Sequence, residues 1–184
     1  MKGVVFIALN DLIERDFGLS VWENLLNEVK PACGGVYIST ESYPDSDMPR
    51  FVAAIARHTT LSSEDITRFF GRYLFSELNK KFPIFSQRYN DLFTFLVNIE
   101  GVIHSEVKKL YHDPSLPALA GHITDASNMC LVYRSPRKLC YLAEGLIYGA
   151  ANHYQENITV RHDTCLHLGD ACCELHIHKD TSVQ

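Results

Sequence analysis

Residues Asp91 to Tyr111 read DLFTFLVNIEGVIHSEVKKLY, and the fold depends on how that run is taken. Leu92, Phe95, Leu96, Ile99, Ile103 and Leu110 recur at helical spacing, which specifies one amphipathic helix laid against a core. His104 stands on the shoulder of this stripe, between Ile103 and the polar pair Ser105 and Glu106. A single histidine on an apolar helix face is ordinarily a satisfied core residue. A second run, Tyr133-Arg134-Ser135-Pro136-Arg137, shifts the balance. In an extended segment alternate side chains point the same way, so Tyr133, Ser135 and Arg137 can converge on one object. They offer a phenol, a hydroxyl and a guanidinium, all donors suited to one or two carboxylates. An imidazole for iron and a polar clamp for propionates together suggest a haem pocket. The plainer reading of the clamp is a solvated strand end leading into the Pro136 turn.

On the N-terminal side, helices are expected over Val4–Phe17, from a Ser20–Glu23 capping box to about Val29, and over Arg50–His58. A further helix, capped by Ser62-Ser63-Glu64-Asp65, is expected to run to about Lys80. Its aromatic side (Phe69, Phe70, Tyr73, Phe75) reads as core or as a cofactor lining. Beyond Tyr111, His112-Asp113-Pro114-Ser115-Leu116-Pro117 cannot be helical, since each proline removes a donor and restricts its predecessor. Strands are then expected near Gly121–Thr124 and Met129–Tyr133, a helix over Lys138–Tyr154, and two alternating strands through Ile158, Val160, His162 and Cys173, Leu175, Ile177. The order is α+β, with helical and sheet-bearing subdomains meeting near Asp113–Pro117.

At 184 residues the chain suits one domain able to enclose a ligand, with 46% apolar and 21% charged residues. A net charge of −5, with no basic run, argues against nucleic acid and anionic membranes as partners. Neither a signal-peptide pattern nor a spanning apolar stretch is present, so a cytoplasmic protein is expected, its six cysteines reduced thiols or metal ligands rather than a disulfide framework. No nucleophile elbow, phosphate-binding loop or dinucleotide glycine pattern points to an enzyme.

Near the C-terminus, Cys140, His162-x-x-Cys165 and Cys172-Cys173 have the composition of a closed tetrahedral zinc site. Cys173 is preferred to Cys172 because alternation places it beside Leu175 and Ile177, and His167, His176 and His178 are alternative ligands. Small buried residues with reactive thiols at a sheet edge are the plainer account. If metal is bound, its thiolates are also oxidisable, which raises a redox role.

Taken together, these motifs resemble the H-NOX (haem nitric oxide/oxygen binding) family, related to the sensor domain of soluble guanylate cyclase. The resemblance runs from Met1-Lys2-Gly3 through Val21-Trp22, His104, Pro117, Tyr133-x-Ser135-x-Arg137 and Gly145-Leu146-x-x-Gly149. It implies haem b with His104 as the proximal iron ligand. It also implies propionates held by Tyr133, Ser135 and Arg137, and Pro117 pressing the macrocycle out of plane. The distal subdomain would span about 1–62 and the proximal one about 63–184. Val5, Leu9, Leu74 and Leu142 would form the distal wall. O₂-holding members place a tyrosine where this chain has Leu142, which implies a sensor of nitric oxide (and CO) that excludes O₂, unless the register shifts to Tyr141. Signalling would follow release of His104, toward a sensor histidine kinase or a cyclic-di-GMP enzyme. The C-terminal half, with Cys165-x3-Gly169-Asp170-x2-Cys173 after a helix, also resembles the V4R ligand-binding domain, the basis of an alternative: a haem-free small-molecule or zinc-thiol redox-sensing module.

Overall fold

The computed structural model of the chain describes residues 1–110 and 116–180. The helices are α1 (Gly3–Phe17), α2 (Leu19–Val29), α3 (Asp47–Arg57), α4 (Ser63–Lys81), α5 (Leu92–Val97), α6 (Ser105–Leu110) and α7 (Cys140–His153). The strands are β1 (Ala118–Ile123), β2 (Asn128–Arg134), β3 (Ile158–Thr164) and β4 (Cys173–Lys179), in a four-stranded antiparallel sheet of order β1-β2-β4-β3. Mixed helices with a small antiparallel sheet agree with the α+β expectation. Tyr111 and the stretch 113–115 of the expected subdomain junction lie outside the described residues.

Local chemistry sets most boundaries. Gly18, at φ 90°, ends α1 with its N–H on Glu14 O and starts α2 directly. One left-handed glycine therefore does what the sequence assigns to a Ser20 capping box, and Ser20 lies inside α2 with no capping bond. Ser62 does cap α4, its Oγ accepting from Asp65 N–H at 3.1 Å. Asp91 caps α5 by accepting from Thr94 N–H at 2.9 Å.

The single helix expected over 91–111 is interrupted. Between α5 and α6, Ile99–His104 form six residues of π-helix. Its wider turn rotates the second half of the stripe: Leu92, Phe95 and Leu96 are buried, whereas Ile99 and Ile103 are half-buried. The π segment ends at His104.

The core has two parts. One gathers Phe6, Leu9, Leu12, Trp22, Phe51, Phe70 and Leu74 from α1–α4, together with Leu142 of α7. The other joins the inner sheet face (Met129, Leu131, Tyr133, Cys173, Leu175, Ile177) to α5 and to Cys140 and Ile147 of α7. Helix α4 feeds both, since Leu74 belongs to the first and Phe75 to the second. The aromatic stripe of α4 is not one surface, because Phe69 is half exposed while Phe70 is buried. Helices α4 and α7 cross closely: a Cβ on Gly145 would lie 2.2 Å from Arg68 O and 2.8 Å from Gly71 Cα.

Candidate functional site

His104 is 9% exposed, and its Nδ1 lies 2.8 Å from Glu100 Oε2 one turn earlier. A carboxylate only accepts, so Nδ1 carries the donated hydrogen and Nε2 keeps its lone pair for a metal. Glu100 Oε2 also accepts from Leu119 N–H of β1 at 3.3 Å, and Oε1 from Lys108 Nζ of α6 at 3.1 Å. Burial alone would raise the Glu100 carboxyl, but the His104 and Lys108 hydrogen bonds hold it below the usual range. Pro117 lies two residues before Leu119, immediately ahead of β1, and is half-buried.

The clamp residues sit at the end of β2 and in the turn beyond it. Tyr133, 2% exposed, accepts from Leu139 N–H at 3.1 Å, which leaves its own hydroxyl proton to donate. Ser135 is buried, and its Oγ accepts from Arg137 N–H at 3.3 Å. The Arg137 guanidinium lies 3.7 Å from Asp45, which also pairs with the Met1 amine at 2.7 Å. Thus a buried phenol, a hydroxyl and a guanidinium share one end of the sheet, a donor set that fits carboxylates such as propionates.

Leu9, Leu74 and Leu142 are buried in the helical cluster, against which Val5 packs together with Tyr37, Tyr43 and Tyr73. Tyr141 goes elsewhere. Its ring stacks on His162 at 5.3 Å and His167 at 5.2 Å, and the Arg68 guanidinium lies 4.6 Å over it. Burial pushes the Tyr141 phenol up to about 12.

The thiols of Cys140, Cys165 and Cys173 lie within 4.8 Å of one another, all buried. The Sγ separations are 3.8 Å for Cys140–Cys165 and 3.9 Å for Cys165–Cys173. A tetrahedral zinc with bonds of about 2.3 Å to sulfur sets its sulfurs about 3.8 Å apart, so the cluster has the dimensions of that ion. Burial raises the Cys140 and Cys173 thiols; at Cys165 it is outweighed chiefly by the hydrogen bond from the His167 backbone N–H, which helps hold that thiol low. His162, just before a β-bulge, gives Nε2 to Glu144 Oε2 at 2.9 Å, while its Nδ1 is buried with no hydrogen-bond partner. His162 is not part of the group of thiols that lie within 4.8 Å of one another, but its buried, unpartnered nitrogen is of the donor type that a fourth ligand needs. The alternatives point away: Cys172 is half-buried outside the cluster, His167 bonds Lys138 O, His176 pairs with Asp163, and His178 bonds Asn128.

Sequence reasoning missed Glu100, Asp45, Glu144 and Arg68. Glu100 has a readable signal, a carboxylate four residues before a histidine on one helix face. Glu144 has another, as the lone acid in the apolar run CYLAEGLIYGAANH. Asp45 and Arg68 have none, since only tertiary packing brings them in.

Comparison with known proteins agrees with a haem-binding class. The family model described as haem-NO-binding matches residues 2–162, and the chain belongs to that family. Among solved structures it is similar to an H-NOX protein from S. oneidensis in the Fe(II)NO state. Identity there is 38%, with 98% of this chain and 100% of that chain covered and a TM-score of 0.93. An NMR structure of the Shewanella oneidensis H-NOX domain in the Fe(II)CO state is also 38% identical, with 99% and 100% covered and a TM-score of 0.89. The unliganded Fe(II) H-NOX protein of K. algicida is 26% identical, with 100% and 99% covered and a TM-score of 0.91. Family membership and these NO- and CO-ligated relatives support a haem gas-sensor domain. Among the described residues, no helix is long and apolar enough to cross a membrane.

Proposed function

We propose that the chain senses nitric oxide, and binds CO, at ferrous haem b, and signals to a separate protein through release of His104. The haem supplies reversible gas binding at an open iron position. The chain supplies aim, polarity and readout. His104 would hold the iron through Nε2, with its ring oriented by Glu100. Tyr133, Ser135 and Arg137 would hold the propionates, and Pro117 would press on the macrocycle. The distal wall of Val5, Leu9, Leu74 and Leu142 offers no donor. Negative charge on the outer atom of O₂ would go unsatisfied there, whereas NO and CO need no such bond.

Glu100 ties the His104 imidazole to α6 through Lys108 and to β1 through Leu119, so movement of the ring would pull on both elements. That linkage is a route from His104 to the sheet-bearing subdomain (about 63–184) and its relation to the helical one (about 1–62). A cytoplasmic sensor histidine kinase or cyclic-di-GMP enzyme is the partner class that the resemblance implies. At the second site we assign a structural zinc to Cys140, His162, Cys165 and Cys173. Four protein ligands leave no position for a reactive water, in keeping with a sensor rather than an enzyme. The V4R-like alternative addresses only the Cys165–Cys173 half, while the family match spans 2–162.

The observation that carries the reading is the commitment of His104 Nδ1 to Glu100, which leaves a buried Nε2 for iron. The test is an absorption spectrum of the ferrous protein, produced with haem available, before and after NO, CO and air. A haem band that shifts with NO and CO, loses its proximal ligand with NO and ignores air is expected. A stable O₂ complex would overturn the distal argument, and absence of haem would overturn the sensor reading.

A further inference from the structure

Glu144 is 5% exposed and is the one acid of α7. Its Oε2 accepts twice, from His162 Nε2 at 2.9 Å and from Arg68 Nε at 2.8 Å. Arg68 also reaches Asp65 Oδ1 at 3.0 Å, which anchors the guanidinium to the first turns of α4. The other side of the His162 ring is fixed by the Tyr141 stack. His162 is therefore held by a carboxylate at one nitrogen and an aromatic face on its plane, and its remaining nitrogen, Nδ1, is buried without a partner. Cys140, one turn before Glu144 on the same face of α7, belongs to the thiol cluster.

We infer that Glu144 is a positioning residue of the thiol–histidine metal site: it fixes His162 in the tautomer that presents Nδ1 to the metal, while Arg68 balances its charge. This rests on the zinc reading proposed above and goes beyond its four ligands. A carboxylate behind a ligating imidazole sets ring orientation and raises ligand basicity. Three thiolates around a divalent cation already leave a net negative centre, and a buried carboxylate behind the fourth ligand adds to it. A compensating cation is then required, and Arg68 is in contact. A purely structural account, in which Arg68 and Glu144 only join α4 to α7, leaves the orphaned Nδ1 unexplained.

The test is a double-mutant cycle on the haem-loaded full chain, with zinc affinity read by competition with a chromophoric chelator. Glu144→Gln keeps the shape and removes the charge, and it should weaken zinc binding by about 10–100-fold. In a His162→Ala background the same change should have no further effect, because its route to the metal is gone. Cobalt(II) substitution should show thiolate charge-transfer bands of similar strength in wild type and Glu144→Gln. The inference is overturned if Glu144→Gln holds zinc with wild-type affinity, or if it loses the same factor with and without His162. A wild-type protein that neither carries zinc nor binds cobalt through thiolates would overturn the zinc reading itself. Should Glu144→Gln fail to fold, Glu144→Asp retains the charge, shortens the reach and enters the same cycle.

Discussion

Replacing Gly145 by alanine tests the close crossing of α4 and α7. The added Cβ would stand 2.2 Å from Arg68 O and 2.8 Å from Gly71 Cα. Non-bonded carbon contacts settle at about 3.5–4.0 Å, so α4 and α7 must part by more than an ångström. The obstacle is backbone, which cannot swing aside as a side chain does. Overpacking typically costs about 1–3 kcal/mol, and a backbone obstacle belongs at the upper end. Alanine returns about 0.5–1 kcal/mol as the better helix former. The net is a loss of about 2 kcal/mol, which for a domain of this size lowers Tm by about 4–8 °C. Thermal unfolding of the haem-loaded protein by circular dichroism reads it directly. Leu142 lies three residues earlier on the same helix, so the parted crossing should also loosen the distal wall and speed CO rebinding after flash photolysis. An unchanged or raised Tm would refute the close crossing, because helix propensity alone would then have prevailed.

Glu100→Gln removes the charge behind His104 and should weaken the proposed iron–histidine bond by about 10–100-fold in equilibrium terms. A larger five-coordinate fraction and faster loss of the proximal ligand on NO addition are expected in stopped-flow absorbance; wild-type behaviour would mean that Glu100 only ties α6 to β1. Leu142→Tyr places a donor in the distal wall, and a charge-assisted hydrogen bond of about 1.5–3 kcal/mol should slow O₂ dissociation by roughly 10–100-fold. Tyr141→Phe should leave O₂ behaviour unaltered, and a stable wild-type O₂ complex abolished by it would reverse the assignment. Asp91→Ala removes the α5 cap at a cost of about 1 kcal/mol near neutral pH. Burial would raise the Asp91 carboxyl, yet bonds from the Thr94 N–H and hydroxyl and the charge of Lys179 hold it low. The gap between wild type and variant in urea unfolding should therefore be full above about pH 4 and close as pH falls through the lower folded-state value.

How much was legible follows from what each feature depends on. Strands β2, β3 and β4 were readable because alternation is a local property: Leu131, Leu175 and His162 all take the inner side that period two assigns them. The run 91–111 read as continuous because its apolar spacing survives at both ends. The π turn over Ile99–His104 inserts its irregularity where Glu100, Gly101 and Val102 give the stripe no strong anchor. Ser20 satisfied a capping pattern but lost to Gly18, whose positive φ joins two helices with no linker to spare. The thiol cluster was legible as composition, while Glu144 and Arg68 meet across 76 residues and leave no local trace of the pairing.

Helix α7 shows why such pairings matter. Its apolar residues lie on more than one side, as befits a helix wedged between two cores. Cys140 and Glu144, four apart, share the side that meets the thiols and His162. Leu142 faces the helical cluster, Gly145 takes the α4 crossing, and Tyr141 lies over His162 and His167. The α4 partner at that crossing is Arg68, whose carbonyl meets Gly145 and whose guanidinium holds Glu144. A shift of α7 against α4 would therefore move Leu142 within the helical cluster and strain the Arg68–Glu144 contact that holds His162. Helix α7 thus contributes Leu142 to the helical cluster and Cys140 to the thiol cluster.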